Sequence, residues 1–202
     1  NKKVIEVQSI SEIIKVIFED SSSIECDYLI VSDGIFSKTR SLIATKKIKP
    51  KYFNSIALRG SIGQTDLQNI DHKNISLFLG SNLHSVLYPI NQNGQFNFVT
   101  ILRKNLHSKE LVDYSLFNSK EFISSALLEI SKQVDNNIIE NLKDIKCFPI
   151  FTSTEIPQTI NKNIHIIGDA FFTFPPTFAQ GASQSIEVAH ELYKNFENKN
   201  YQ

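Results

Sequence analysis

Hydrophobic and polar residues alternate in short runs over the first thirty positions of the chain. Residues 4–10 and 13–18 show the two-residue period of half-buried β-strands, and the polar run 19–23 predicts a turn. A third strand starts near Ile24. Residues 28–31 are a continuous apolar run, which predicts a strand buried on both faces.

A short helix is predicted at 37–44, and the middle of the chain then returns to strand patterns. Four apolar segments are separated by turn signals at 80–82 and 91–94. This spacing predicts an antiparallel sheet with strands at 55–62, 75–79, 85–88 and 95–102.

Helical periodicity appears in the second half of the chain. Residues 121–130 place their apolar side chains on one face, and a second helix is predicted at 134–142. A short strand at 145–150 is expected to break at Pro149, and a buried strand is expected at 164–167. From about Gln180 a long helix is predicted, with an apolar face formed by Ala182, Ile186, Ala189, Leu192 and Phe196.

The composition of the chain argues against several classes of function. The 202 residues are 41% hydrophobic and 21% charged with a net charge of zero, so no electrostatic footprint for nucleic acid or an anionic membrane is present. No apolar run reaches the roughly 18–20 residues of a transmembrane helix. Cys26 and Cys147 lack a metal-ligand or C-x-x-C spacing, which predicts two reduced thiols in a cytoplasmic protein without a metal site.

The first segment with candidate chemistry follows the apolar run at 28–31. Asp33 and Gly34 end this strand, and Arg40 lies one turn into the next helix. Glycine allows a sharp turn and a close approach of a ligand, while Asp33 could accept hydrogen bonds from a sugar hydroxyl. The alternative interpretation is a structural one, in which Asp33 only caps the helix.

The second segment, at 164–187, has the same order of strand, acidic residue beside glycine, and helix. Gly168 and Asp169 end the strand, and Pro175-Pro176 stiffen the following loop. Gln180-Gly181-Ala182-Ser183 then open a helix whose free N–H groups attract negative charge. A proline-rich loop before a core helix would explain each feature singly, but not the whole string in this order.

These two segments resemble the DG and GD motifs of the class A flavoprotein monooxygenases, the family of para-hydroxybenzoate and salicylate hydroxylases. The family's D-G-x-x-S-x-x-R is matched by Asp33, Gly34, Ser37 and Arg40. Its G-D-A-A-H, P-P and G-x-G-x-N/S string is matched in part by residues 168–183. Tyr88-Pro89-Ile90 and Asn97-Phe98-Val99 resemble strands of the family's substrate sheet, so the resemblance covers nearly the whole chain.

The resemblance implies an α/β (α+β) fold. A partial FAD-binding domain of the glutathione-reductase type would occupy 1–45 and 150–202, interrupted by a mainly antiparallel substrate-binding sheet domain at 46–149. The implied activity is FAD-dependent hydroxylation of a small phenol-like or quinone-precursor-like aromatic ring, with O2 and with NADH or NADPH as co-substrate.

The resemblance also implies roles for single residues. Asp169, next to Gly168, would bind the ribityl or ribose hydroxyl region of FAD. Asp33, beside Gly34, would lie near the pyrophosphate, with Arg40 organising that turn. Pro176 would lie by the isoalloxazine and the substrate. The helix opened by Gln180 and Gly181 would turn the N–H groups of Ala182 and Ser183 towards flavin N1 and O2, which are anionic in reduced flavin.

The sequence departs from the family pattern at several positions. Phe172 stands where the histidine is usual, Val188 where an acid is usual, and Val31 where a glycine is frequent. The glycine of the G-x-G step is replaced by Ala179 or Phe178, depending on alignment. No G-x-G-x-x-G, the fingerprint that holds the ADP half of FAD, follows a strand.

We therefore expect a C-terminal portion of such an enzyme, inactive alone. It would depend on a separate N-terminal dinucleotide-binding segment, and its uncovered strands would make it prone to self-association. Two alternatives stay open at this point. One is a non-enzymatic remnant or partner-binding fragment without flavin, and the other is a substrate-binding module that uses the sheet alone.

Overall fold

The computed structural model describes residues 2–67, 70–90 and 94–198, with nothing stated of the Phe178 side chain. Its backbone divides into two compact units. The first comprises residues 1–53 and 151–202, and the second comprises residues 54–150. The turn predicted at 91–94 and the frayed end predicted at 198–202 fall largely outside the described residues.

The first unit begins with a three-stranded antiparallel sheet. β1 (Val4–Ile10) and β2 (Ile13–Phe18) have the predicted bounds, and β3 (Ser23–Cys26) completes the order β1-β2-β3. Ile14 and Val16 alternate with more exposed neighbours on β2, as the two-residue period requires.

A second, parallel sheet in this unit brings the two ends of the chain together. β4 (Leu29–Val31) pairs with β10 (Ile164–Ile166), and α1 (Lys38–Ile43) follows β4. The chain ends in α5 (Gly181–Glu197). The buried cluster of the unit consists of Val7, Ile14, Val16, Val31, Ile43, Ile164, Ile166 and Ala170.

Two predictions for this unit are wrong in detail. The strand at 28–31 is not buried on both faces, since Ile30 is 48% exposed. Within the described residues only one strand pairs with β4, and the face that carries Ile30 is covered only in part, where Phe196 of α5 packs against Tyr28. On α5, Val188, Leu192 and Phe196 are partly covered, whereas Ile186 of the predicted apolar face is exposed. Periodicity locates apolar positions on a helix, but tertiary packing decides which of them are covered.

The second unit is built on one five-stranded sheet in the order β6-β7-β8-β5-β9. The neighbouring pairs among the first four strands are antiparallel, as predicted. The strands are β5 (Lys51–Gly63), β6 (Ser76–Leu79), β7 (Leu83–Pro89), β8 (Gln95–Arg103) and β9 (Lys143–Thr152). The predicted break at Pro149 is wrong, because β9 lies at the edge of the sheet, where proline's missing N–H costs no ladder bond.

The α-helices in the described part of the second unit are α2 (Ser108–Val112), α3 (Lys120–Ile130) and α4 (Asn136–Glu140). α3 starts where Ser119 accepts a hydrogen bond from the Phe122 N–H. α4 starts later than predicted because Asp135 is its N-cap and accepts from the Asn137 N–H, and it ends at Glu140. The helices and one face of the sheet share a core that includes Leu87, Phe98, Phe117, Ile130 and Ile138. In the described ranges, no helix is long and apolar enough to span a bilayer.

Candidate functional site

The two segments with candidate chemistry meet at one edge of the parallel sheet. Because β4 and β10 run in the same direction, the turns that follow them, at Asp33-Gly34 and Gly168-Asp169, lie at the same end. Gly34 has φ +84° and Gly168 has φ +60°, a left-handed conformation that favours glycine. A Cβ on Gly34 would meet nothing within 4 Å, so the space beside this turn is open.

Arg40 is hydrogen-bonded to both of these turns. Its guanidinium donates from Nη1 to the carbonyl of Ala170 at 2.6 Å and from Nη2 to the carbonyl of Ile35 at 2.7 Å. The residue is only 3% exposed, and its Nε has no hydrogen-bond partner among the described residues. Burial lowers the pKa of Arg40, while the charge of Asp33 acts in the opposite direction. Arg40, expected to bind the cofactor, is thus placed where it holds one turn against the other.

The carboxylate of Asp33 accepts hydrogen bonds from residues that follow it closely in the sequence. Its Oδ2 accepts a hydrogen bond from the Thr39 N–H at 3.2 Å. Burial alone would raise the pKa of Asp33, but hydrogen bonds from Ser37 and Thr39 outweigh it, so that the net pKa is lowered. Asp33 thus accepts from one N–H of the first turn of α1, as the capping interpretation expects, although the N-cap residue itself is Ser37, whose Oγ accepts from the Arg40 N–H.

Asp169 is in the opposite situation. No hydrogen bond or ion pair of its carboxylate is present in the part of the chain that the structure describes, and partial burial raises its pKa. The turn is held by other atoms, since the Thr173 hydroxyl donates to the Asp169 carbonyl at 2.9 Å and the Thr173 N–H donates to Ser153 Oγ at 3.0 Å. The backbone is fixed, and the carboxylate is available to a ligand.

The N-terminus of α5 lies beside the second turn and has no side-chain cap. Gln180 precedes the helix without a capping hydrogen bond, and the first turn carries no acidic residue. The Gln184 N–H is bonded to the Gln180 carbonyl, which leaves the N–H groups of Gly181, Ala182 and Ser183 without intrahelical acceptors. Such an end favours an anion or a partially negative oxygen.

The loop before α5 is strained at one residue. Pro176 starts a single 3-10 turn, Pro176–Phe178, and is exposed. Ala179 then adopts φ 52° and ψ 27°, which costs a non-glycine residue roughly 1–2 kcal/mol. Of the two positions considered for the replaced glycine, Ala179 is the one with a glycine-like backbone.

A cavity of about 340 Å³ opens between the second turn and α5. It brings Gly168 and Gly181 together, whereas the other predicted site residues do not line it. Its wall is mostly apolar and consists of Ile156, Gly168, Phe171, Phe172, Phe174, Gly181, Gln184, Ser185 and Val188. Our sequence reasoning missed the aromatic wall, although the run of phenylalanines after Asp169 was its signal.

These features fit the flavin half of FAD. An apolar cavity of this size suits a flat ring system, the carboxylate of Asp169 suits a sugar hydroxyl, and the uncapped end of α5 suits the electron-rich edge of a flavin. The features that would hold the ADP half are a G-x-G-x-x-G turn and its helix, and the sequence contains no such turn after a strand.

The fold of the chain is similar to that of several solved structures. The chain superposes on 2,6-dihydroxypyridine-3-hydroxylase from Arthrobacter nicotinovorans with a TM-score of 0.79 and 18% identity, covering 96% of this chain and 55% of that one. It superposes on HpxO from Klebsiella pneumoniae, complexed with FAD and uric acid, with a TM-score of 0.72 and 18% identity, covering 92% of this chain and 46% of that one. The predicted fold class is confirmed.

The sequence comparisons define the family. Salicylate hydroxylase from Pseudomonas putida is 22% identical over 95% of this chain and 48% of its own length. The family described as FAD binding domain matches residues 10–198. The chain belongs to this family, and the resemblance to the FAD-dependent aromatic hydroxylases is confirmed. The chain spans about half the length of the curated relatives that it matches.

Proposed function

We propose that this chain supplies the flavin-end half of an FAD-dependent monooxygenase that hydroxylates a small aromatic, phenol-like or quinone-precursor-like substrate with O2 and NADH or NADPH. The observation that carries the proposal is the junction of the two motif turns, clamped by Arg40 and flanked by the uncapped end of α5 and the aromatic cavity. The relatives named as aromatic hydroxylases support the reaction class.

In this proposal the residues act on FAD by binding and orientation. Asp169 accepts hydrogen bonds from a ribityl or ribose hydroxyl, and the N–H groups of Ala182 and Ser183 stabilise negative charge at flavin N1 and O2. Gly34 and Gly168 permit close approach of the backbone, and Pro176 borders the ring and the substrate. FAD itself supplies the redox and oxygen chemistry when it is bound.

A separate dinucleotide-binding segment completes the site in this proposal. Leu29 and Val31 exchange the hydrogen bonds with the β10 side, so the N–H and C=O of Ile30 point to the opposite, open edge of β4. The Ile30 side chain is 48% exposed on the adjoining face, whereas the ring of Tyr28 packs against Phe196 of α5. A strand followed by a G-x-G-x-x-G turn and a helix would pair here and supply the ADP-binding half.

The second candidate is a non-enzymatic remnant or partner-binding fragment without flavin. Phe172 and Val188 replace polar residues of the family motif, and both line the cavity. The local engagement of Asp33 also favours it, because that carboxylate already has hydrogen-bond donors. A cytoplasmic location stays a prediction that rests on the two unpaired cysteines, Cys26 and Cys147.

Flavin retention separates the two candidates. The chain would be purified alone and with a co-expressed segment carrying the strand, G-x-G-x-x-G turn and helix, and bound flavin would be measured by its visible absorbance. We expect little flavin on the chain alone and substantial flavin on the complex. Asp169→Ala should weaken FAD binding to the complex by roughly 1.5–3 kcal/mol, because a buried hydroxyl loses a charged partner.

The matched control is Asp113→Ala, which removes a carboxylate of the second unit that accepts hydrogen bonds from Ser115. It should leave FAD affinity unchanged. An Asp169→Ala complex with unaltered affinity would contradict the proposed role. A tightly held, stoichiometric flavin on the chain alone would show that no second segment is needed.

A further inference from the structure

A second cavity of the first unit lies along the edge of β10 that does not pair with β4. Its volume is about 560 Å³, which is within the usual range of small-molecule sites in proteins. Residues 157–159 and 164–167 line it together with Phe171 and with a side of α5 that includes Glu191 and Leu192. We call this cavity the edge cleft.

The strand β10 turns main-chain groups towards the edge cleft. The Leu29 N–H donates to the Asn163 carbonyl at 3.1 Å, which joins β10 to β4. Because alternate residues of a strand face the same neighbour, His165 also faces β4, whereas Ile164 and Ile166 direct their N–H and C=O groups away from it. The side chains of these two isoleucines belong to the buried cluster of the unit, so the cleft meets their backbone.

Three of these main-chain groups have no hydrogen-bond partner among the described residues. The Ile164 N–H donates to the Asn161 carbonyl at 3.1 Å, but the carbonyl of Ile164 and both main-chain groups of Ile166 form no such bond. The two isoleucines are only 2% and 8% exposed. Buried main-chain groups in folded proteins nearly always have a partner. The edge therefore presents an acceptor, a donor and an acceptor to a ligand.

The length of this row and the charge beside it limit the class of ligand. The row is too short for an added peptide strand, because the Ile164 N–H is already bonded and the Gly168 carbonyl accepts from the Phe171 N–H. Glu191 lines the cleft, and no lysine or arginine does so in the part of the chain that the structure describes, which disfavours a phosphate. Phe171 and Leu192 supply apolar surface for a flat ring.

We infer that the edge cleft binds an uncharged 6-aminopurine, as the free base or the nucleoside. The amino group donates to the Ile164 carbonyl, and the adjacent ring nitrogen accepts from the Ile166 N–H. The next ring C–H makes a weak hydrogen bond to the Ile166 carbonyl, and the ring packs against Leu192.

This inference does not rest on the proposed function. Glu191 and Leu192 line the edge cleft and not the aromatic cavity, although Phe171 and Val188 border both. Variants at Glu191 and Leu192 therefore test the edge cleft apart from the flavin-end residues.

Adenosine would be titrated into the full 15N-labelled chain, with backbone amide shifts as the readout. We expect saturable shifts at residues 164–167 and 188–195. N6,N6-Dimethyladenosine lacks the donor and should bind roughly fivefold to tenfold more weakly, because one hydrogen bond is lost. AMP should bind roughly threefold more weakly than adenosine, because its phosphate is repelled by Glu191, and Glu191→Gln should remove most of that difference.

Leu192→Ala removes apolar surface of the cleft and should weaken adenosine binding roughly fivefold. Leu128→Ala is the matched control, because Leu128 is an exposed leucine of α3 outside the cleft, and it should leave the affinity unchanged. Glu191 is exposed, so Glu191→Gln tests the site without disturbing the core. The inference is overturned by adenosine shifts that lie elsewhere, by the absence of saturable shifts, or by equal affinities for adenosine and its dimethyl derivative.

Discussion

The two units of the chain bury their strands very differently. In the second unit the helices cover one face of a five-stranded sheet, and central residues such as Leu87, Phe98 and Leu102 are completely buried. In the first unit the parallel sheet has two strands, the central residue of β4 is 48% exposed, and no described residue of α5 is fully buried.

The larger buried core and the candidate functional site therefore lie in different units of the chain. The second unit has a self-sufficient core, whereas the motif turns, the free carboxylate of Asp169 and the aromatic cavity all belong to the first. Parallel strands are normally covered on both faces, and two strands alone rarely form a stable sheet. We therefore expect the first unit to be the less stable one and the one that needs a partner.

The largest effect is expected from Arg40→Met, which removes the clamp between the two turns. The loss of two hydrogen bonds from a charged donor, with two carbonyls left unpaired, should lower the free energy of unfolding by roughly 3 kcal/mol or more. Urea unfolding, with hydrogen exchange of the β10 amides as a local probe, measures it.

Arg59→Met is the control for this change, since it removes an exposed arginine of the second unit and should shift stability by less than roughly 0.5 kcal/mol. Equal losses in the two variants would show that the clamp has no special role.

Self-association should respond to the open edge of the first unit. Ile30→Lys places a charge on an exposed apolar strand residue and should raise the dissociation constant of any self-associated form roughly tenfold. Light scattering over a concentration series measures it. Leu79→Lys makes the same kind of change on the edge strand of the second unit. A larger effect of Leu79→Lys than of Ile30→Lys on the dissociation constant would show that self-association uses the sheet edge of the second unit, which contradicts this account.

The two motif carboxylates should respond to pH with opposite signs. The pKa of Asp33 is below its usual 3.8 in the folded chain, so its contribution to stability is present above that pH and is lost as the pH falls through the lowered value. Asp33→Asn should cost about 1 kcal/mol at neutral pH, as for other helix-capping losses, and less in acid.

The pKa of Asp169 is raised above 3.8, so its contribution is present below that pH and is lost as the pH rises through the raised value. Asp169→Asn should therefore stabilise the chain at neutral pH and have no effect in acid. Unfolding at pH 7 and pH 3 checks both variants, and the same sign for the two at pH 7 would contradict the account.

The smallest effect is expected from Ala179→Gly. Glycine adopts the left-handed backbone of residue 179 without strain, although it also makes the unfolded chain more flexible. The net gain should be about 0.5–1 kcal/mol, measured by thermal or urea unfolding. Ala182→Gly, inside the first turn of α5, should be destabilising instead, and a loss of stability in Ala179→Gly would argue against strain at this residue.

Local patterns predicted much of the secondary structure. The strands at 4–10 and 13–18, the antiparallel sheet and the helix ending at Ile130 follow from periodicities of two and 3.6 residues. Features set by tertiary packing were not predictable in this way. Examples are the exposure of Ile30 and the tolerance of Pro149 at a sheet edge.

The candidate site could also be predicted only in part, where local sequence patterns determine it. The motif residues that follow β4 and β10 could be named from the sequence, because strand ends in α/β folds carry ligands. The bond from Arg40 to the Ala170 carbonyl joins residues 130 positions apart, and no local pattern encodes it. The sequence left two interpretations of Asp33 open, a ligand contact and a contact with the following helix. The structure shows a hydrogen bond from the Thr39 N–H to its carboxylate.

The most direct test of the central claim is to map FAD on the chain itself. Amide shifts of 15N-labelled protein would be followed while FAD is added, with ADP as the comparison ligand. The account predicts weak, saturable shifts by FAD at Gly168, Asp169 and residues 181–183, smaller ones by ADP, and none from FAD in the core of residues 54–150. FAD shifts confined to residues 54–150, or an equal response to ADP at the same amides, would contradict it.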